Sequence, residues 1–309
     1  MNGDIAALYD ALQSSPDSVE RLIALGNALL AARRPADALP LFEKAVTLHA
    51  RDGSAFRGLA QAQLDLDMPD LALASFRKAS SIISYDRYAA YMVAALSGTT
   101  GEKAGAYVAD LFDAYAPTFD EHLTGPLQYR IPQVISELVA SDGKSHPIGT
   151  ALDLGCGTGL VATALAGMVS AIDGIDISEQ MTRKAAELDL YRMLRTGDLV
   201  SAMENSTDFD GPYDLVIAAD VFVYVGRLEQ VFAAIAKRLS QDGKFVFSVE
   251  DCRGENPKVR SSGRYAHPQT YVQRIAAQFN LAVVERRPLT IRQERDMPIP
   301  GALYCLTRS

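Results

Sequence analysis

The ten residues Ala151–Leu160, ALDLGCGTGL, set an apolar run, an aspartate and three glycines at alternate positions. Such a run reads as a buried strand that ends in a bare loop. Without side chains, that loop lets a ligand lie directly against the main chain. It lacks the Gly-Lys-Ser/Thr ending that places a lysine on a triphosphate. Its G-x-G-x-G spacing also departs from the G-x-G-x-x-G of dinucleotide sites, although a glycine match alone is weak in either direction. Asp153, two positions before the first glycine, opposes a pyrophosphate and favours a ligand that carries positive charge. Gly155, Gly157 and Gly159 form the cradle. Cys156, inside it, reads as a small apolar filler toward the sheet.

From Ile148 onward, short apolar runs alternate with amphipathic stretches such as Leu228–Leu239. Strands are predicted at Thr150–Leu154, Ala171–Ile177, Tyr191–Leu194, Tyr213–Ala218, Lys244–Val249, Ala282–Arg286 and Ala302–Thr307. This alternation implies a mostly parallel sheet with helices on both faces. Ligands of such sheets bind at the carboxyl ends of strands, where strand order reverses, and the glycine loop follows the first strand. Asp176, in GIDIS, ends the second strand 21 residues after Gly155. That is near the roughly 20 expected of an acid that grips ribose hydroxyls, a feature shared by NAD and S-adenosylmethionine sites. Ile177 follows it. Asp198, in RTGDLV, follows the third strand and is placed to accept a hydrogen bond from an adenine amino group.

The first hundred residues repeat. Leu25 matches Leu59, Pro35 matches Pro69, Ala38 matches Ala72, Phe42 matches Phe76 and Ala45 matches Ala79, each pair 34 residues apart. This period, with small residues and a phenylalanine at fixed offsets, resembles the tetratricopeptide repeat, a helix–turn–helix unit. Pro35 and Pro69 suit the first turn of each second helix. Asp4–Ser14 reads as a lone second helix before the array and Ser84–Leu96 as a first helix that caps it. A groove for a protein or peptide partner and a scaffold or dimer surface are both compatible with this pattern. Ser97–Gly105, rich in Gly, Thr and charge, reads as a hinge, and Pro117, Pro126 and Pro132 divide the following segment into short helices.

The three glycine-loop and acidic motifs together, LDLGCGTG, GIDIS and GDL, resemble the class I S-adenosylmethionine-dependent methyltransferases over roughly Leu111–Arg308. Upstream, FDAYAPTFDEHL…LQYRIP is similar to the lead-in of a bacterial family of predicted methyltransferases that also carry tetratricopeptide repeats, so the whole chain resembles that family. The resemblance implies an α/β fold: a Rossmann-like seven-stranded sheet with its last strand antiparallel, behind an all-α repeat domain. Residues 1–100 would be the repeat domain, 101–147 a helical linker or lid, and 148–309 the S-adenosylmethionine-binding domain. It also implies that Asp153, Gly155 and Gly157 hold the methionyl arm, Asp176 the ribose, and Asp198 with Leu199 the adenine.

The aromatic lead-in is expected to be a lid, with Tyr115 and Phe119 over the cofactor and Tyr129 or Arg130 reaching its carboxylate. Asp220, at the end of the fourth strand, is a candidate to orient a methyl acceptor or take its proton; a turn former is the alternative. His267 in GRYAHP is a second candidate base. Arg260 and Arg264 are candidates for an acidic substrate, Tyr224 for the pocket wall. No N-P-P-Y/F and no carboxylate set for magnesium occurs, so no metal is implied.

The net charge of -8 disfavours a general nucleic-acid partner. Three dispersed cysteines, an acidic start and the lack of an apolar run near ~18 residues lead to the expectation of a cytoplasmic protein without a membrane span. Three activities fit the sequence: a small-molecule methyltransferase acting on an O or N atom of an unidentified acceptor, a protein methyltransferase whose repeats recruit the target, or a non-catalytic adaptor.

Overall fold

Three short polar side chains spaced by 34 residues start helices in the N-terminal region. Ser18 accepts a hydrogen bond from Arg21 N, Asp52 from Ala55 N, and Asp86 from Ala89 N, each satisfying a backbone donor that a helix start would otherwise leave open. The computed structural model describes residues 2–99, 102–141, 147–294 and 297–309. Its helices are α1 (Asn2–Gln13), α2 (Val19–Ala31), α3 (Pro35–Leu48), α4 (Gly53–Asp65), α5 (Pro69–Ile82) and α6 (Arg87–Leu96). The α2–α3 pair therefore recurs as α4–α5 at an offset of 34 residues, and α6 starts a third period. Leu25, Leu29, Ala38, Phe42, Leu59 and Ala62 share one buried core. The final helix starts at Arg87 rather than Ser84 because Asp86 is its cap.

The chain divides into two compact units, Met1–Tyr107 with Val259–Gly263, and Val108–Lys258 with Arg264–Ser309. The expected boundary at 100/101 lies outside the described residues. The stretch expected as a hinge is already helical from Glu102, where α7 (Glu102–Tyr115) begins. A 3-10 turn at Ala116–Thr118, α8 (Phe119–Thr124) and α9 (Ile131–Ala140) follow.

In the second unit, strands and helices alternate: β1 (Ile148–Leu154), α10 (Leu160–Ala164), β2 (Val169–Asp176), α11 (Glu179–Ala186), β3 (Met193–Thr196), α12 (Leu199–Glu204), β4 (Tyr213–Ala218), α13 (Glu229–Arg238) and β5 (Leu239–Glu250). Then come β6 (Lys258–Val259), β7 (Tyr265–Ala266), α14 (Gln269–Gln278), β8 (Leu281–Glu294) and β9 (Met297–Arg308). The mixed sheet has nine strands among the described residues, against seven expected; β6 and β7, of two residues each, are the additions. β1 pairs in parallel with both β2 and β4, β2 with β3, and β4 with β5, while β9 is antiparallel to β5 and to β8.

The central strands β1, β4 and β5 are apolar on both faces, and the two-residue period of a strand divides those side chains between two cores. Leu152, Leu154, Val216, Ala218, Phe245 and Phe247 enter one core with Phe222 and Phe232. Their neighbours Ala151, Leu215, Ile217 and Val246 enter the other, with Ile131, Ile135 and Val161. The aromatic lead-in belongs to that second core: Leu123 and Tyr129 are buried in it, and Tyr115 and Phe119 pack against it. β3 starts two residues later than the sequence predicts. The tyrosine and arginine that precede it are turned to other work: Tyr191 to Asp153, and Arg192 to Asp173.

Candidate active site

Strand order reverses between β1 and β4, and the glycine loop leaves β1 at that point. Gly155 N and Cys156 N both donate to Ile175 O of β2, at 2.7 and 3.0 Å, which folds the loop back over the neighbouring strand end. Gly155 has φ +66°, and a Cβ there would lie 2.4 Å from Val221 Cγ2, so only glycine fits.

Asp153 is 0% exposed. Its Oδ2 accepts from Tyr191 Oη at 2.8 Å, while Oδ1 is buried without a hydrogen-bond partner among the described residues. Burial pushes its pKa up to about 7, against the pull of the Tyr191 hydrogen bond. Asp176 is also buried. Its Oδ2 accepts from Gly157 N and its Oδ1 from Ser178 N, both at 2.8 Å, so one carboxylate fastens the glycine loop to the turn after β2. Burial raises its pKa too. Ile177 is half-buried beside it. Cys156 is buried and its thiol pushed up by that burial.

Asp198 is exposed and caps α12, accepting from Ser201 N at 2.9 Å. Leu199 points its side chain into the core.

The lead-in segment is tied to these loops by two acids that the sequence did not single out. Asp113 accepts from Ser178 Oγ at 2.6 Å and from Gln180 N at 3.1 Å, and Asp120 accepts from Thr158 Oγ1 inside the glycine loop. Phe119 lies over the loop: a Cβ on Gly157 would be 3.7 Å from its Cε1. Tyr115 packs edge-on to Phe119 at 5.1 Å. Tyr129 is buried, and the charges of Asp220, Arg292 and Asp153 all act on its hydroxyl, whose pKa burial raises. Arg130 is exposed at the start of α9. Asp113 and Asp120 were findable only as acids interleaved with aromatics.

Asp220 follows β4 with φ +58°, an uncommon backbone for a residue with a side chain. Arg292 of β8 holds both of its oxygens through one nitrogen, at 3.1 Å each. The same guanidinium donates to Glu250 and, at 2.8 Å, to Glu294. Arg264 donates to Glu294 and, at 3.3 Å, to the Tyr224 hydroxyl. Phe112 packs on Tyr224 with ring centroids 5.3 Å apart. Arg264, one of the two arginines expected to meet an acidic substrate, is thus engaged within the protein. Burial raises the Asp220 pKa and the two guanidiniums lower it.

His267 is fully buried, with Nε2 3.0 Å from Val225 O and 3.2 Å from Gly226 O. Nε2–H donates to these carbonyls and holds the turn after β4. Burial lowers its pKa to about 4. The unfolded chain takes up that proton near 6.5, so the imidazole contributes stability that is present above pH 6.5 and lost as pH falls toward 4. We expect the stability of the wild type minus that of His267→Gln, from urea unfolding, to shrink by about 2 kcal/mol between pH 7 and 4.5. A difference that stays flat with pH would refute this burial effect.

No group of three or more His, Cys, Asp or Glu suited to a metal ion occurs among the described residues. No helix among them is long and apolar enough to cross a membrane.

The family described as Methyltransferase domain matches residues 152–245, from β1 into β5. Over 100 residues the chain is 39% identical to a ubiquinone biosynthesis O-methyltransferase of Thiobacillus denitrificans, covering 32% of this chain and 43% of that one. Over 140 residues it is 30% identical to a malonyl-(acyl-carrier protein) O-methyltransferase of Geobacter sulfurreducens, covering 45% and 48%. The chain thus spans just under half the length of these curated relatives. The crystal structure of magnesium protoporphyrin IX methyltransferase from Synechocystis PCC 6803 with bound SAH superposes with a TM-score of 0.51 at 19% identity, covering 67% of this chain and all of that one. The second unit therefore has a Rossmann-like α/β fold shared with that methyltransferase structure, and residues 152–245 within it match the Methyltransferase domain family.

Proposed function

We propose that the protein transfers a methyl group from S-adenosylmethionine to an oxygen or nitrogen of a small-molecule acceptor. One observation carries the reading: the fully buried Asp153 carboxylate, with an oxygen left unpartnered among the described residues, at the strand-order reversal beside the glycine loop. A buried carboxylate without a counter-charge is costly. An ammonium relieves that cost, and a pyrophosphate adds to it, so the residues fit this cofactor better than a dinucleotide. The O-methyltransferase names of the partial relatives support oxygen as the acceptor atom.

In this reading Asp153 with Gly155, Cys156, Gly157 and Gly159 holds the methionyl arm, and Asp176 with Ile177 the ribose. Asp198 with Leu199 holds the adenine. Tyr115 and Phe119 cover the site, and Tyr129 or Arg130 reaches the cofactor carboxylate. Bound S-adenosylmethionine supplies a methyl already activated on sulfonium, so holding the acceptor in line accounts for much of the rate. Asp220, fixed by Arg292, accepts a hydrogen bond from the acceptor and orients it. His267 acts at one remove, by setting the turn after β4. The seven long strands form the class I arrangement, and the 34-residue helical pairs form a tetratricopeptide array, with residues 1–100, 101–147 and 148–309 as repeat, lid and methyltransferase segments.

Calorimetry with S-adenosylmethionine and with NAD tests the assignment. We expect binding of the first and none of the second. NAD binding without S-adenosylmethionine binding would overturn it. Labelled-methyl transfer into a lysate, split into protein and metabolite fractions, then separates a small-molecule acceptor from a protein target recruited by the repeats.

A further inference from the structure

We propose that Tyr191 is a positioning residue for Asp153: its hydroxyl occupies one carboxylate oxygen and leaves the other to the cofactor ammonium. The inference rests on the S-adenosylmethionine reading above and deepens it. The motif supplies Asp153 but says nothing of what holds it. In the fold, Asp153 Oδ2 accepts from Tyr191 Oη at 2.8 Å across 38 residues of sequence, and Oδ1 has no partner among the described residues. Two glycines make room for the ring. A Cβ on Gly174 of β2 would lie 2.8 Å from Tyr191 Cε1, and one on Gly159 would lie 3.4 Å from Cε2. The ring is thereby wedged between β2 and the glycine loop, and its hydroxyl is delivered to the end of β1.

The chemistry follows from desolvation. A fully buried carboxylate tends to keep its proton, and a hydrogen bond to the charged form opposes this. Tyr191 is the side-chain donor that does so. The other titratable groups that act on Asp153 are Asp176 at the end of β2, Cys156 in the glycine loop and Tyr129 in the lead-in segment. Burial holds the thiol and the Tyr129 phenol neutral near pH 7. Asp176 keeps its bonds to Gly157 N and Ser178 N whether or not Tyr191 has a hydroxyl.

The test uses the full chain and S-adenosylhomocysteine, which keeps the ammonium but lacks the sulfonium charge. Its affinity is measured by calorimetry from pH 6 to 9 for the wild type, Tyr191→Phe, Asp153→Asn and the double variant, with thermal melts to verify folding. We expect Tyr191→Phe to weaken binding about ten-fold at pH 7. The pH at which affinity falls should move upward, with most of the affinity regained at pH 9. The ligand's own titration is common to all variants and cancels in the comparison. Asp153→Asn should bind weakly with no Asp153-dependent fall in affinity, and adding Tyr191→Phe to it should change little. Equal affinity of Tyr191→Phe and wild type at every pH would overturn the inference, as would a uniform loss without a shift in the pH profile. Failure of the wild type itself to bind would instead overturn the cofactor reading on which this one stands.

Discussion

Arg292→Ala is expected to remove about 3–5 kcal/mol of folding stability, the range seen when one member of a buried ion cluster is deleted. Arg292 is 3% exposed and satisfies three carboxylates: Asp220 with one terminal nitrogen, Glu250 with the other, and Glu294 with Nε. Glu250 is itself buried in β5, so the variant would take the main counter-charge away from its carboxylate and from that of Asp220. Arg264 still pairs with Glu294, and its charge also acts on Asp220 and Glu250, so it offsets part of the loss. Asp220 loses a guanidinium that lowers its pKa and takes up a proton more readily, so the deficit should be smaller at pH 5 than at pH 7. Combining Arg292→Met with Asp220→Asn and Glu250→Gln removes charge along with counter-charge and should recover part of the loss. Urea unfolding of each variant at both pH values measures this. A loss below about 1 kcal/mol for Arg292→Ala, the range of a surface pair, would show that the cluster is not the anchor described here.

Asp176→Ala is expected to weaken S-adenosylmethionine binding by about ten- to hundred-fold, from hydrogen bonds to a charged group worth roughly 1.5–3 kcal/mol. The fold gives this acid two tasks. Its carboxylate ties Gly157 N of the glycine loop to Ser178 N of the turn after β2, and in the proposed complex it also grips the ribose. Alanine removes both, leaving two backbone donors unpaired and the loops that cradle the cofactor unlinked. Asparagine keeps an acceptor for one of the two loops and should fall between wild type and alanine. Calorimetry measures the affinities and circular dichroism the fold. An unchanged dissociation constant in a folded Asp176→Ala protein would refute the ribose role and the loop-tying role together.

Asp113 and Asp120 qualify how the lead-in segment is to be read. They reach from it to the turn after β2 and to the glycine loop, so polar latches as well as aromatic packing set this segment on the strand ends. Its composition announced the packing, because aromatic side chains need a surface to cover. It did not announce the latches, because an aspartate in a helical segment is most simply a solvated one.

Local patterns were enough for the central strands. Apolar runs of strand length separated by amphipathic helices place β1, β2 and β4 to within two residues, because burial on both faces leaves little choice of side chain, whereas β5, β8 and β9 run five to eight residues beyond the predicted ranges at one end. The 34-residue spacing of Ser18, Asp52 and Asp86 starts helices wherever it falls, because a cap acts on its own backbone. The glycine motif likewise carries its meaning locally, since positive φ at Gly155, Gly157 and Gly159 is a property of the loop itself. Tertiary structure decided the state of each polar group. Asp153 meets Tyr191 across 38 residues, Asp113 meets Ser178 across 65, and Asp220 meets Arg292 across 72. No local period encodes such pairs. They depend on strand order, on the face each side chain takes, and on which residues the packed core withdraws from water. For the same reason the sequence identified His267 as an imidazole in a loop, and only the fold made it a buried, neutral brace beneath the turn after β4.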